Sequence, residues 1–143
     1  MAAEGQAEER AAALLSERGV RATPQRTRVL AELVREPNDA TAQELHERLR
    51  ATGGGVGLAT VYRALTVLVD EGVVDVLTHR PGEACYRFCG DEHHHHLVCS
   101  SCHRVIELDD CRLDPWLEDV AARHGFARLE HRLEVSGLCA DCR

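Results

Sequence analysis

Between Glu92 and Cys102 the chain sets four consecutive histidines, His93 to His96, directly before the pair Cys99-Ser100-Ser101-Cys102. Imidazole nitrogen and thiolate sulfur are the donors zinc favours, and Cys-x-x-Cys lets one tight turn deliver two thiolates to one ion. A second pair, Cys139-Ala140-Asp141-Cys142, closes the chain. Cys99, Cys102, Cys139 and Cys142 therefore predict a tetrahedral four-thiolate zinc site, with buried thiols as the simpler reading. With all positions filled by sulfur such a site is structural, contributing on the order of 10 kcal/mol or more to folding.

An internal run of four histidines two residues before a ligand pair is not an expression tag. In extended chain alternate rings point to opposite faces, so His94 and His96 can serve one ion while His93 and His95 serve another. Asp75 and Cys89 complete the first set. His131 and Asp114 complete the second, against simpler readings as a core histidine and a helix N-cap. His46, His79, His103 and His124 lack a partner at ligand spacing and read as surface or packing residues. Cys85 reads as a small core hydrophobe, and Cys111 has no assigned role. Each set already holds four donors and there is no His-Glu-x-x-His helix, so no open metal position remains for a small-molecule substrate. A catalytic Cys/His pair has no support. The chain reads as a metal-binding protein and not an enzyme.

Helices and strands must bring these donors together. Ala7 to Arg18 is rich in Ala and Glu and ends at Gly19, which predicts a first helix. Thr23-Pro24 is an N-cap and first-turn pair opening a second helix to about Arg35. Thr41-Ala42-Gln43-Glu44 has the capping-box pattern and opens a third, with Leu45 and Leu49 as its apolar stripe. After Gly53-Gly54-Gly55, a fourth helix from about Ala59 to Glu71 carries Leu58, Val61, Leu65 and Leu68 on one side. Arg63 lies nearly opposite, flanked by Tyr62 and Thr66 and by Thr60. An exposed Tyr and Arg on the second of two short helices suit a helix-turn-helix reader in a major groove, while a solvated face is the plainer alternative.

Val73 to Leu77 and Ala84 to Phe88 flank the turn signal Arg80-Pro81-Gly82-Glu83 and predict a hairpin, the wing of a winged helix. A turn centred near Gly82 sets Asp75 beside Cys89. Beyond the histidines, Arg104 to Leu108 reads as a strand and Asp114 to His124 as a helix that Gly125 ends. Arg128 to Ser136 reads as an alternating strand with Leu129, His131, Leu133 and Val135 on its buried face. The fold class is thus α+β: a winged helix-turn-helix domain over residues 1–88, a hinge at 89–92, and a small α/β domain over 93–143.

The net charge of −7 conceals a division. From Arg18 to Arg63, 8 Arg face 5 acidic residues, whereas from Asp91 to Arg143, 6 Arg face 11. Only the amino-terminal part can welcome phosphate. Every basic residue is Arg throughout the chain, which reflects genomic base composition more than a selected phosphate fork. No apolar run approaches the roughly 20 residues that span a bilayer, and the acidic start is unlike a signal peptide. A cytoplasmic location follows, in which seven cysteines are metal ligands or buried groups before they are disulfides.

The order of a winged helix, Ala-Thr-Val-Tyr-Arg-Ala-Leu (Ala59 to Leu65), His-His-His-His-Leu-Val-Cys-Ser-Ser-Cys and a terminal Cys-x-x-Cys resembles the ferric-uptake-regulator (Fur) family. The likeness runs from about Ala13 to Cys142 and is greatest to the zinc-uptake-regulator branch of actinobacteria. It implies a homodimeric, metal-activated repressor that binds operator DNA, with Cys99, Cys102, Cys139 and Cys142 as structural zinc site. It implies Asp75, Cys89, His94 and His96 as regulatory site at the hinge, and His93, His95, Asp114 and His131 as a further zinc site. Iron- and peroxide-sensing relatives place a His where this chain has Asp39, and the Cys89 thiolate favours zinc over iron(II) or manganese(II). Asp114 departs from the family's usual Glu. On this resemblance Tyr62, Arg63 and Thr60 would face the bases, with Arg21, Thr23, Gln25 and Arg26 on the DNA backbone. Repression of zinc-import genes is the implied output.

Overall fold

The computed structural model describes residues 2–143; Met1, where the expected first domain begins, lies outside the described residues. The chain divides into two compact units, residues 1–91 and 92–143. No described helix is long and apolar enough to cross a membrane.

The first unit runs α1 (Ala2–Glu17), α2 (Pro24–Arg35), β1 (Ala40–Thr41), α3 (Ala42–Ala51), α4 (Leu58–Asp70), β2 (Val74–Leu77) and β3 (Cys85–Phe88). The caps act as their residue types dictate. The Thr23 hydroxyl accepts from the Arg26 N–H at the start of α2. At α3 the Thr41 hydroxyl accepts from Glu44 N–H, and the Glu44 carboxylate accepts from Thr41 N–H at 2.8 Å. Each bond satisfies a donor that the helix itself leaves unmade. Gly72 ends α4 in the left-handed conformation (φ 71°), where other residues are strained. Leu15, Leu30, Leu45, Val61, Leu65 and Leu68 are fully buried and pack into one core. This is a winged helix: three helices carry α4, and the β2–β3 hairpin is the wing.

Three features differ from the sequence reading. Helix α1 begins at Ala2 and not Ala7, since Ala2, Ala3, Glu4 and Gln6 are themselves good helix formers. A two-residue strand, β1, joins the far side of β3 to give the order β1-β3-β2. The hairpin register sets Asp75 opposite Arg87 instead of Cys89, because the connection centres on Pro81. The slip is by two residues, so Cys89 stays on the same face of the sheet as a diagonal neighbour of Asp75.

The second unit contains β4 (His95–Cys99), β5 (Val105–Leu108), α5 (Asp114–His124) and β6 (Glu134–Gly137), with strand order β5-β4-β6. Strand β4 is antiparallel to β5 and parallel to β6. The expected strand from Arg128 is confined to Glu134–Gly137, since Arg128 sits in the left-handed region (φ 56°) and breaks the extended run. Nor is its apolar face buried: Leu129, Leu133 and Val135 are exposed and His131 is half-buried. Helix α5 has no buried residue at all.

Candidate metal centres and nucleic-acid face

Strand β4 ends at Cys99, and the turn after it carries Cys102; the turn after β6 carries Cys139 and Cys142. The parallel β4–β6 pairing sets Cys99 beside Gly137, and the Ser100 N–H donates to the Gly137 carbonyl at 2.8 Å, so the two turns lie together. All four sulfurs lie within 4.8 Å of one another. Cys102 Sγ and Cys139 Sγ are 3.8 Å apart, which is the edge of a tetrahedron of sulfurs about 2.3 Å from a central zinc, roughly 3.8 Å. Backbone N–H groups of Cys102, Cys139 and Ser101 draw the Cys99 thiol down to about 5. Hydrogen bonding to Cys139 pushes the Cys142 thiol up to about 12. Cys99 thus offers a thiolate ready-made, whereas the Cys142 proton is one that a bound cation must displace.

His93, His95 and His131 form a second cluster in which Cys111 is the fourth donor within 4.8 Å; the expected Asp114 is not among those four, though its charge acts on His95. His131 Nε2 lies 3.1 Å from His93 Nε2, 3.2 Å from His95 Nε2 and 3.2 Å from Cys111 Sγ. His95 Nε2 is also 3.1 Å from Cys111 Sγ. One ring nitrogen has a single in-plane lone pair or proton and cannot make three hydrogen bonds. A cation at the centre accounts for all of these approaches, since nitrogens about 2.0–2.1 Å from zinc stand roughly 3.3 Å apart. Burial, then the neighbouring rings of His93 and His131, hold the His95 pKa below its usual value, which keeps a ring neutral for ligation. Asp114 instead occupies the first turn of α5, where a carboxylate favours the helix dipole. Cys111 precedes that helix in an irregular segment with no periodicity, so nothing in its spacing marked it out.

The donors expected at the hinge come as two pairs. In the first unit the Asp75 carboxylate and Cys89 Sγ lie within 4.8 Å of each other. In the second, His94 and His96 stack edge to face with ring centroids 4.9 Å apart. The histidine run thus splits by parity, His93 with His95 and His94 with His96.

Asp39, His79 and Cys85 form a further cluster in the first unit. His79, expected at the surface or in packing, is buried against the Asp39 carboxylate, and both lie beside Cys85.

On the first unit, Thr23, Gln25, Arg26, Thr60, Arg63, Ala64, Thr66 and Val67 line an open groove of about 490 Å³ between the start of α2 and α4. Arg63 donates to the Thr60 hydroxyl at 3.0 Å, and Arg26 to the Arg21 carbonyl at 3.1 Å, so both guanidiniums are held at its rim. Tyr62 is 47% exposed on the same helix.

Comparison with known proteins bears on these sites. The sequence pattern of the ferric uptake regulator family matches residues 17–136. The zinc uptake regulation protein of Mycobacterium tuberculosis is 44% identical over 129 residues, 90% of this chain and 99% of that protein. The ferric uptake regulation protein of Escherichia coli is 35% identical over 133 residues, 90% and 89% of the two chains. Among solved structures, a zinc uptake regulator complexed with zinc and DNA superposes with a TM-score of 0.77 at 27% identity, covering 96% of this chain and 93% of that one.

Proposed function

The chain belongs to the ferric uptake regulator family, whose members are metal-responsive transcriptional regulators and not enzymes, and from that premise we propose a zinc-responsive repressor that binds operator DNA as a homodimer. Residues 1–88 are its DNA-binding domain, 89–92 its hinge and 93–143 its dimerisation and metal-binding domain. It acts in the cytoplasm on genes for zinc uptake.

The observation that carries this reading is the pair of half-sites. The winged-helix unit brings together a carboxylate and a thiol, Asp75 and Cys89, at its carboxyl-terminal end. The next unit opens with two adjacent imidazoles, His94 and His96. Only Gly90, Asp91, Glu92 and His93 separate Cys89 from His94. These four donors would hold the regulatory zinc, and the ion would supply a cross-link between units. Of the metals such a site could sense, a thiolate selects zinc over iron(II) and manganese(II). The Asp39 position argues likewise, since its carboxylate is turned to His79 at 2.5 Å.

Cys99, Cys102, Cys139 and Cys142 would hold a structural zinc, and His93, His95, Cys111 and His131 a third. Among the described residues, seven of the nine exposed large hydrophobics lie in the second unit, including Ile106, Trp116, Phe126 and Leu138. A second copy of the chain is the cover this supports. The groove at α4 supports DNA contact by Thr60, Tyr62 and Arg63, with Arg21, Thr23, Gln25 and Arg26 alongside for phosphate.

Zinc at the hinge and DNA at α4 favour one conformer, so each raises the affinity for the other. The test is operator affinity measured against buffered free zinc, iron(II), manganese(II) and nickel(II). Tightening by zinc at the lowest free concentration is expected, and tightening by iron(II) but not zinc would overturn zinc as the signal.

A further inference from the structure

Three donors of different chemistry meet inside the winged-helix unit. Asp39 precedes β1, His79 follows β2 and Cys85 opens β3. The sheet register explains the meeting: Cys85 pairs with Thr41 on one side and Leu77 on the other. Asp39 and His79 stand two residues from those partners, so the pleat sends all three side chains to one face. Their donor atoms lie within 4.8 Å of one another. The Asp39 and His79 side chains are 0% and 1% exposed, and Cys85 is fully buried.

We propose that Asp39, His79 and Cys85 form a metal site within the winged helix, separate from the three clusters described above, for zinc or another divalent ion of similar softness. A carboxylate, an imidazole and a thiolate with a dication sum to zero charge, which a buried site tolerates. An independent observation points the same way. Asp39 Oδ1 is buried without a hydrogen-bond partner. The nearest cation, Arg80, is 3.7 Å away and donates instead to Glu44 at 2.9 Å. A buried carboxylate oxygen left without a hydrogen bond is costly, and a bound cation is what such an oxygen serves.

Binding frees His79 Nε2 from Asp39 Oδ2, the ring's proton moving to Nδ1, and that pair opens from 2.5 Å to roughly 3.3 Å. The proton exchanged for the ion is that of the Cys85 thiol. Burial, then the Asp39 charge, push that thiol up to about 12. It is therefore no nucleophile, and this cluster is not a hydrolytic triad; a dication is the charge able to displace its proton. The ion would tie the segment entering α3 to both wing strands. Arg87 already holds that segment, donating to the carbonyls of Pro37 and Asn38 at 2.6 and 2.8 Å.

This site stands whether or not zinc is the regulatory signal. The test is zinc per chain of the full-length protein, by mass spectrometry at a free zinc that saturates it, for the unaltered chain and for Cys85→Val and His79→Gln. Each variant should hold one zinc fewer per chain with its far-ultraviolet circular dichroism retained; unchanged zinc content overturns the proposal. Should either variant unfold, crystals of the unaltered chain grown with zinc decide. Anomalous density at the zinc edge between Asp39, His79 and Cys85 supports the site, and none there while the four cysteines show it refutes the site.

Discussion

Replacing Cys102 by Ser probes how the carboxyl-terminal unit is held together. Its apolar interior is slight: Val98 and Val105 are the buried aliphatic residues among those described, and helix α5 buries none. Two buried valines contribute about 3–6 kcal/mol at roughly 1.5–3 kcal/mol each. A structural zinc contributes about 10 kcal/mol or more. The ion thus outweighs the core of this unit, whereas the amino-terminal unit has a core of many fully buried Leu and Val residues. Cys102→Ser removes one thiolate from the tetrahedron, and the remaining three retain zinc far more weakly. Scanning calorimetry of the full chain should show the transition of the first unit preserved and that of the second lost or lowered by tens of degrees, with at least one zinc fewer per chain. A variant whose second unit melts within a few degrees of the unaltered protein would refute the assignment of zinc as its main support.

Substitution at the three-histidine cluster separates its two candidate donors: with cobalt(II) in place of zinc, Cys111→Ser should lose thiolate-to-metal absorption attributable to that cluster, while Asp114→Asn should leave the spectrum unchanged, and the reverse pattern would restore the carboxylate as ligand. His96→Ala should give a folded dimer, by sedimentation and circular dichroism, whose operator affinity no longer rises with zinc; loss of the fold would mean that this histidine is structural. Arg63→Ala should weaken operator binding by about 1–3 kcal/mol, roughly 5- to 150-fold, if it reads a base edge. The readout is fluorescence anisotropy, and an unchanged affinity would remove Arg63 from the interface.

Much of this architecture is legible from local chemistry. Thr23-Pro24 and the Thr41/Glu44 box open their helices through bonds that reach three residues along the chain, and Gly72 and Gly125 end theirs in left-handed conformations. Such signals need no knowledge of distant contacts. The two Cys-x-x-Cys turns carry their own geometry too, so their convergence needs only the β4–β6 pairing. What resists reading depends on long-range placement. The hairpin register turns on where a seven-residue connection centres, and a two-residue slip sets Asp75 directly opposite Arg87 while leaving Cys89 within reach on the same face. Cys111 reaches His95 and His131 through an irregular segment without periodicity. Asp39 meets His79 because β1 and β2 flank the same strand, and a strand of two residues leaves little trace in sequence. The stripe from Leu129 to Val135 misleads for another reason: alternation marks a face to be covered, without saying whether the cover belongs to the same chain.

Whether metal capture sets DNA affinity is decided by titrating operator DNA with the unaltered protein at saturating and at vanishing free zinc, with the four-cysteine site kept loaded and the oligomer mass followed throughout. Coupling of the usual size, about 1–3 kcal/mol, predicts binding roughly 5- to 150-fold tighter with zinc. Equal affinity of the two forms, with the same oligomer mass, would mean that zinc does not govern DNA binding.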